Sequence, residues 1–297
     1  MEGNQYIRKA HSMFGWDWGP QLPDMGIWRD IFIDSYEKAE LSDLHIRQEH
    51  IDGKVFLSAE TKVMLPEKAQ DDEIAEAEYL VLPQSAESNA RILKESVGNN
   101  DSTLAENADN LKVKITLQTP DGKQISFSDG KCLVEDPKLW WPNGYGAQPL
   151  YTVRAELFLG GEFLDAKELR IGLRTLTVSQ EKDAWGEEFA FCINGVKIFA
   201  KGADYIPEDC IYSKITPERI YELLDTAVAC HFNCIRIWGG GYYPADVFYD
   251  YCDEHGLIVW QDFMYACNVY ELTEKLRESI IEETKDNAGR LLSLIHI

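Results

Sequence analysis

The sequence predicts a multidomain protein in which antiparallel β structure is followed by alternating strands and helices. Between residues 36 and about 177, short runs of alternating apolar and polar residues are separated by turn residues such as Pro120-Asp-Gly-Lys, a pattern typical of a β-sandwich. After Gly172, apolar runs of strand length alternate with amphipathic segments of helical length, which indicates parallel strands in a doubly wound sheet or a barrel. The 297 residues suffice for roughly two domains.

The charge and hydropathy of the chain argue against two kinds of partner. With 29 Lys and Arg against 51 Asp and Glu, the formal net charge is −22, which repels nucleic-acid phosphates and anionic membrane surfaces. No run of about 18 apolar residues is present, and Met1 to Ala10 lack the apolar core of a secretory signal. We therefore expect neither nucleic acid nor a membrane as a partner.

The seven cysteines are scattered along the chain, and no pair has the Cys-x-x-Cys spacing. Their odd number and lack of pairing favour free thiols in a reducing compartment, so we expect a cytoplasmic protein without a metal site. The sequence predicts no bound cofactor, and no feature of it indicates an oligomeric state.

Within the predicted sandwich, residues 67–110 are rich in Asp, Glu, Ser, Asn and Ala, which predicts that part of this stretch is a long, solvated acidic loop. After the sandwich, residues 189–200 alternate on both sides of Asn194-Gly195, the pair favoured in the type I′ turn of a β-hairpin. We therefore expect a loop in the first segment and a hairpin in the second.

Three βα units are predicted after this hairpin. The strands are expected at residues 200–204, 234–238 and 257–261, and the helices at 216–230, 245–255 and 273–287. Thr216 can cap the first helix, with Pro217 at its first position. Gly256 stands where the second helix would end in a left-handed residue.

Two of the predicted strands end in residues suited to ligand contact. The second strand runs into Trp238 on a glycine-rich loop, and the third runs into Asp262. Because the carboxyl ends of parallel strands form the functional face of α/β folds, both residues are candidates for a binding site. The alternative for Asp262 is a helix cap. The glycines after Trp238 lack the spacing of a phosphate-binding loop.

A second cluster of candidates is Phe14-Gly-Trp-Asp-Trp-Gly-Pro20, which a further tryptophan at position 28 follows. Indole faces stack on the C–H faces of sugar rings and carboxylates accept hydrogen bonds from hydroxyls, so Trp16, Asp17 and Trp18 have carbohydrate-binding chemistry. A buried aromatic turn is an equally good interpretation of these residues. Trp140-Trp-Pro-Asn-Gly-Tyr-Gly has a similar composition, but we expect a packed structural turn there.

Together, five motifs in order resemble glycoside hydrolase family 2 over nearly the whole chain. They are Ser12-Met-Phe-Gly-Trp-Asp-Trp-Gly-Pro; Leu139-Trp-Trp-Pro-Asn-Gly-Tyr-Gly with Pro149-Leu-Tyr; Ile193-Asn-Gly with Lys201-Gly-Ala-Asp-Tyr-Ile-Pro; Ile235-Arg-Ile-Trp-Gly-Gly-Gly; and Val259-Trp-Gln-Asp-Phe-Met. The first, fourth and fifth resemble the β-mannosidases of the family. Two positions depart from the pattern, namely Asp204, where Asn is common, and Pro244, where Glu is often seen.

The resemblance implies three domains. Residues 1–36 would be the C-terminal end of a jelly-roll domain of the sugar-binding type, residues 37–177 an immunoglobulin-like β-sandwich, and residues 178–291 the first three βα units of a (β/α)8 TIM barrel. Residues 292–297 are expected to be a non-native tail. Three barrel strands leave an open sheet edge, so we expect the chain alone to be unstable or prone to aggregate.

The resemblance also implies a function, that of a retaining β-mannosidase that releases terminal β-D-mannose from β-mannoside oligosaccharides or glycosides. The residues that would bind the terminal mannose are Trp16, Asp17, Trp18, Trp238 and Asp262. Arg236 would lie beside the nucleophile and keep it ionised. In this family the acid/base and the nucleophile are Glu residues on the fourth and seventh barrel strands. No residue of this sequence matches either, so no catalytic residue is assigned and the chain alone is expected to be inactive.

Two other functions remain open at this point. The family also contains β-galactosidases and β-glucuronidases, which share the general motifs. A non-catalytic carbohydrate-binding module would explain the tryptophan clusters together with the missing glutamate pair.

Overall fold

The computed structural model describes residues 8–65, 78–81, 91–92 and 110–292. The chain divides into two compact units, each built from segments that are separated in sequence. We call Met1–Ile31, Leu139–Pro149 and Arg174–Ile297 the βα unit, and Phe32–Lys138 with Leu150–Leu173 the two-sheet unit.

The secondary structure is numbered along the chain. The strands are β1 (Phe14–Trp16), β2 (Gly19–Gln21), β3 (Glu40–Ile51), β4 (Lys54–Leu65), β5 (Glu78–Val81), β6 (Arg91–Ile92), β7 (Leu111–Gln118), β8 (Gln124–Ser126), β9 (Lys131–Val134), β10 (Leu150–Leu159), β11 (Glu162–Gly172), β12 (Leu176–Ser179), β13 (Ala190–Ile193), β14 (Val196–Ile198), β15 (Gly202–Tyr205), β16 (Cys234–Ile237) and β17 (Ile258–Gln261). In the described part of the chain the helices are α1 (Pro217–Ala229), α2 (Asp246–His255) and α3 (Glu274–Leu292), with short 3-10 helices at His11–Met13 and Tyr212–Lys214.

Two antiparallel sheets form the two-sheet unit. In one sheet, β4 pairs with β3, β5 and β9, and β5 also pairs with β6. In the other, the strand order is β11-β10-β7-β8. Along β4, Val55 and Leu57 are at most 1% exposed, whereas Phe56 between them is 42% exposed. Antiparallel sheets with one buried and one solvated face produce such alternation, as the sequence pattern indicates.

The acidic loop expected at residues 67–110 lies for the most part outside the described residues. Two stretches within it are strands, since β5 and β6 extend the sheet beside β4. The prediction placed a loop in only part of this range and did not foresee these two strands. Their backbone groups are paired in the sheet, which a reading of the acidic composition does not detect.

A three-stranded parallel sheet with helical connections is the centre of the βα unit. Its strand order is β15-β16-β17, with α1 between the first two strands in sequence and α2 between the last two. Ile235 and Ile237 of β16 are 4% and 2% exposed and belong to one core with Leu224 of α1 and Phe248 of α2. The predicted βαβαβ order is confirmed, with boundaries that differ by a few residues.

The local signals of the sequence have the expected geometry. Asn194 and Gly195 have φ angles of 50° and 78°, as a type I′ turn requires, and join β13 to β14. The Thr216 hydroxyl accepts a hydrogen bond from the backbone N–H of Arg219 (3.4 Å) and caps α1. Gly256 ends α2 in the left-handed conformation, with φ 77°.

The Trp140 segment is packed, as predicted, but against α2 of the βα unit. Trp140 is 0% exposed, and its indole Nε1–H donates to the Asp253 carbonyl oxygen at 2.7 Å. The backbone N–H of Asn143 donates to the Gly256 carbonyl oxygen at 2.8 Å. This segment therefore stabilises the C-terminal end of α2, although it lies between two-sheet strands in sequence.

The third helix extends further than predicted, since α3 continues to Leu292. Leu291 is 6% exposed in the same core as Phe248, so burial of its side chain stabilises this end of the helix. Residues 293–297, the rest of the expected tail, lie outside the described residues. Among the described helices, none is long and apolar enough to cross a membrane.

Candidate functional site

One face of the parallel sheet carries polar and aromatic side chains. The register places Asp204 of β15 beside Arg236 of β16, and Arg236 beside Trp260 of β17. Because side chains alternate along a strand, these three share the face opposite to the buried Ile235 and Ile237. The Asp204 and Arg236 side chains are 56% and 38% exposed, and Trp260 is 40% exposed. The face is thus open to solvent and rich in hydrogen-bonding groups.

Arg236 connects the two carboxylates of this face. Its Nε and Nη2 atoms donate to the two oxygens of Asp262, at 3.1 and 2.7 Å. Its Nη1 atom donates to Oδ1 of Asp204 at 3.1 Å. Partial burial by itself would lower the pKa of Arg236, but the hydrogen bonds and charges of Asp204 and Asp262 outweigh it and raise the pKa above its ordinary value. The guanidinium is therefore a fixed cation between two anions.

Asp262 binds both Arg236 and the backbone of the glycine-rich loop. Its Oδ2 atom accepts a hydrogen bond from the backbone N–H of Gly239 at 3.2 Å, and its side chain is 20% exposed. The next helix, α3, begins only at Glu274, so Asp262 is not a helix cap. Of the two interpretations open from the sequence, the structure favours a polar site at the strand ends.

The tryptophans of the first motif lie on a small hairpin. Strand β1 pairs with β2 so that Trp16 is opposite Gly19, which leaves Asp17 and Trp18 as the two-residue turn. The ring centroid of Trp238 is 5.0 Å from that of Trp16 and 5.9 Å from that of Trp18. Trp16 is 40% exposed, so the hairpin is not the buried aromatic turn that the sequence left open. The structure brings the two predicted tryptophan groups together.

Close packing against Trp238 explains a glycine in the loop that follows it. A Cβ atom on Gly240 would lie 2.2 Å from the Trp238 ring. Any larger residue at position 240 would therefore displace the indole from its place beside Trp16. The glycine is needed at position 240 so that the Trp238 ring can pack close to the backbone. The sequence around it does not have the spacing of a phosphate-binding loop.

Trp28 belongs to a different cluster, which the sequence analysis missed. Its ring makes edge contacts with Tyr212 and Tyr242, at centroid distances of 5.9 and 5.6 Å. The Tyr242 hydroxyl donates to Oε2 of Glu208 at 2.9 Å, and the Tyr205 hydroxyl donates to Oε1. Burial and the charge of Glu208 raise the pKa of Tyr242. Glu208 lies shortly after the end of β15, as Asp262 lies after the end of β17. This position at a strand end is the signal that could have identified Glu208 from the sequence.

A cavity of about 610 Å³ adjoins this second cluster. Trp28, Tyr212 and Tyr242 are among its lining residues, whereas the five residues predicted to bind mannose do not line it. Of the predicted site residues, Trp16 is 40% exposed and the Asp262 side chain is 20% exposed. These groups suit recognition of a sugar. Carboxylates accept hydrogen bonds from sugar hydroxyls, a guanidinium donates to them, and indole rings stack on sugar C–H faces. Asp204 and Asp262 are both bound to one guanidinium, which suits binding better than attack on a sugar carbon.

The comparisons with known families agree with the sequence motifs. Residues 39–174 match the family described as glycosyl hydrolases family 2. Residues 1–29 match the domain described as glycosyl hydrolase 2 galactose-binding domain-like. The two matches together cover more than half of the chain.

Curated relatives and a solved structure show which members of the family the chain is similar to. The chain is 34% identical to beta-mannosidase B of Emericella nidulans over 297 residues, which is 96% of this chain and 30% of the relative. It is 35% identical to beta-mannosidase B of Aspergillus oryzae over 289 residues, again 96% of this chain and 30% of the relative. The crystal structure of beta-D-mannosidase from Dictyoglomus thermophilum matches with a TM-score of 0.72 and 30% identity, over 96% of this chain and 32% of that one.

A more distant structure shares the fold. The exo-chitosanase of Amycolatopsis orientalis matches with a TM-score of 0.62 and 17% identity, over 91% of this chain and 29% of that one. The chain therefore belongs to glycosyl hydrolase family 2 and has its β-rich, multidomain fold. Within the family its sequence is similar to β-mannosidases, and it spans about 30% of the length of the curated relatives it matches.

Proposed function

We propose that this chain supplies the mannose-recognition part of a retaining β-mannosidase. The observation that carries the proposal is the cluster in which Trp16 and Trp18 pack on Trp238 beside the Arg236–Asp262 pair. Its indole rings and hydrogen-bonding groups suit a hydroxylated sugar ring. Similarity to proteins named beta-mannosidase supports mannose as that sugar. The substrates would be terminal β-mannosides of oligosaccharides or glycosides.

The proposed architecture explains why recognition and chemistry are separate. The sequential parallel order of β15, β16 and β17 supports their assignment to the beginning of a (β/α)8 barrel. The two-sheet unit would be the immunoglobulin-like domain, and the β1–β2 hairpin would come from a jelly-roll domain. Retaining hydrolysis needs two carboxyl groups about 5–5.5 Å apart. We propose that both are glutamates outside this chain, and that Arg236 would lie beside the nucleophile. The cytoplasmic location stays a prediction.

A titration tests recognition by the chain itself. Methyl β-D-mannoside is added to the 297-residue protein, and binding is followed by isothermal titration calorimetry or by tryptophan emission. We expect Trp16→Ala to weaken binding about 3- to 10-fold, because one aromatic contact contributes roughly 0.5–1.5 kcal/mol beyond its area. Trp185→Ala is the matched control, since Trp185 is 95% exposed and lies outside the cluster. Equal losses in the two variants would contradict the proposed site.

A cleavage assay tests the choice of substrate. The chain is extended at its C-terminus with the corresponding part of a family β-mannosidase, and hydrolysis of aryl β-mannosides, β-galactosides and β-glucuronides is compared. We expect preference for the β-mannoside. Preference for either of the other glycosides would assign the protein to another branch of the family. Binding to this chain with no hydrolysis by the extended protein would favour a non-catalytic carbohydrate-binding module.

A further inference from the structure

The base of the β1–β2 hairpin is tied to three separate loops of the βα unit. The 3-10 helix His11–Met13 directly precedes β1, and both His11 and Ser12 are 5% exposed. The Ser12 backbone N–H donates to the Gly240 carbonyl oxygen at 2.9 Å. The Ser12 and Tyr212 hydroxyls form a hydrogen bond of 2.8 Å. These contacts fix the hairpin base against the glycine loop that follows Trp238.

His11 connects the same base to the loop that follows Asp262. Its Nδ1 atom is hydrogen-bonded to the Ala266 carbonyl oxygen. Its Nε2 atom lies 2.7 Å from the Tyr270 hydroxyl oxygen. A carbonyl oxygen can only accept, so Nδ1 carries a proton and donates. In a neutral imidazole Nε2 then accepts the Tyr270 proton, and both ring nitrogens are satisfied in one tautomer.

The hairpin depends on such contacts for its position. Each of its strands has three residues, and an isolated two-stranded hairpin of this length is marginal in water at best. Trp16 must nevertheless lie with its ring centroid 5.0 Å from that of Trp238. A binding site of this kind requires supporting residues that hold the contacting side chains in place.

We propose that His11 and Ser12 are positioning residues, and that a neutral His11 bound between Ala266 and Tyr270 places the Trp16–Trp18 hairpin on Trp238. Two loops that carry site residues, Trp238 in one and Asp262 in the other, are bonded to this single turn of helix. The turn therefore sets the relative positions of the three parts of the recognition cluster. The positioning role itself does not depend on the proposed function; only the interpretation of the cluster as a sugar-binding site rests on it.

The charged groups around His11 favour its neutral form. Arg8 donates to the Tyr270 hydroxyl oxygen at 3.3 Å, which leaves that hydroxyl proton directed to His11. Glu283 accepts a 2.8 Å hydrogen bond from Nε of Arg8, so its charge is already engaged by that cation. The Arg8 guanidinium lies 4.6 Å from the ring centroid of Tyr265, and Tyr243 also interacts with Arg8 and Glu283. Among the described residues, a protonated His11 would thus meet the Arg8 cation without a carboxylate paired to its own ring.

Circular dichroism of the 297-residue chain tests the positioning role. Two indoles 5.0 Å apart couple and produce an exciton band, and the difference between the native chain and Trp16→Phe isolates the band of the Trp16–Trp238 pair. We expect His11→Ala to lose the same band while the helical ellipticity is retained. His11→Gln should retain it, because an amide can donate to Ala266 and accept from Tyr270. His231→Asn is the control, since His231 is exposed and asparagine tolerates its φ of 60°.

Two outcomes would overturn the proposal. One is a His11→Ala protein that keeps the Trp16-dependent band with its helices intact. The other is a native chain whose band survives acidification to pH values at which a buried histidine is fully protonated. If His11→Ala fails to fold, the acid titration of the native chain against His11→Gln gives the answer, since only the native chain should lose the band reversibly.

A parallel titration with methyl β-D-mannoside separates this inference from the proposed function. Loss of the band in His11→Ala, together with absence of mannoside binding by the native chain, would support the positioning role and contradict the sugar site. If the native chain binds the mannoside and His11→Ala keeps both the band and the affinity, the sugar site stands and the positioning role is wrong.

Discussion

The two units of this protein differ most clearly in their aromatic residues. All eight tryptophans belong to the βα unit, and the two-sheet unit has none. On β7 and β10 of the two-sheet unit, the inward residues Leu117 and Leu157 are 0% exposed. In the βα unit, by contrast, one sheet face is buried while the other presents Arg236 and Trp260 to solvent. The first arrangement stabilises a fold, and the second leaves groups available for a ligand.

This difference supplies a measurement for each unit. Tryptophan emission reports on the βα unit alone, whereas far-UV circular dichroism reports on both. A urea-unfolding transition that appears in ellipticity but not in tryptophan emission belongs to the two-sheet unit. The chain is not expected to be two-state, so the transitions are compared one at a time.

The largest effect is expected in the core of the two-sheet unit. Leu117→Ala removes a fully buried side chain and should lower the free energy of unfolding by about 2–5 kcal/mol, from lost burial and the cavity that remains. Leu133→Ala is the matched control in the same unit, because Leu133 is 38% exposed. Its loss should be clearly smaller. Similar losses from the two variants in urea unfolding would show that this core tolerates a cavity.

A pair of glycines with the same φ angle compares the two units. Gly256 in the βα unit and Gly53 in the two-sheet unit both have φ 77°. A Cβ atom on Gly256 would lie 2.4 Å from the Asn143 backbone nitrogen, whereas one on Gly53 meets nothing within 4 Å. Gly53→Ala should cost about 1–2 kcal/mol from the left-handed conformation alone. Gly256→Ala should cost more, and an equal loss of stability would mean that the Asn143 turn shifts freely.

An arginine pair tests whether the open face is held more firmly than an ordinary surface. Arg236 and Arg154 each bind two carboxylates, and their side chains are 38% and 41% exposed. Arg236→Lys cannot keep both bonds to Asp262, which is 20% exposed, and should lose about 0.5–1 kcal/mol. Arg154→Lys, in the two-sheet unit, should show no measurable change. A larger loss at Arg154 in urea unfolding would reverse the comparison.

The pH dependence of the hairpin should be the most local effect. Burial lowers the pKa of His11 from 6.5, and the charge of Arg8 lowers it further. The hydrogen bond to Ala266 acts in the opposite direction but does not outweigh them. The docked hairpin therefore binds a proton less well than the undocked one. Docking should be complete above about pH 6.5 and weaken as the pH falls through that value toward the lowered pKa. The exciton band should follow this course, and a band that strengthened in acid would show that the sign is wrong.

The sequence predicted the local elements well, because their causes are local. Asn194-Gly195 has the positive φ angles that a type I′ turn needs, and Thr216 has a hydroxyl that caps a helix. The alternation of apolar and polar residues between 36 and about 177 predicted antiparallel strands, and β4 is such a strand, with buried and exposed residues in turn. The short strands β5 and β6 were missed, because their surroundings are acidic and only the structure shows that β5 pairs with β4 and β6 with β5.

The sequence named candidate residues for a binding site, but it did not predict how they are arranged. Trp16 and Trp238 were both candidates, and only the structure places their rings side by side. Trp28 was grouped with Trp16, but it packs on Tyr242 instead. His11 was not singled out, since nothing in its neighbours along the chain indicates two hydrogen bonds to residues more than 250 positions away.

The amino-acid sequence by itself determined the order of strands and helices, the turn and cap residues, and the family, since each depends on residue type and short spacing. The tertiary structure decided which of these residues meet. Asp262 lies on Arg236 because the register of β16 and β17 brings their C-terminal ends together. The hairpin lies on Trp238 through contacts of Ser12 and His11 with loops far along the chain. Such contacts are properties of packing in three dimensions, and the spacing of residues along the chain does not encode them directly.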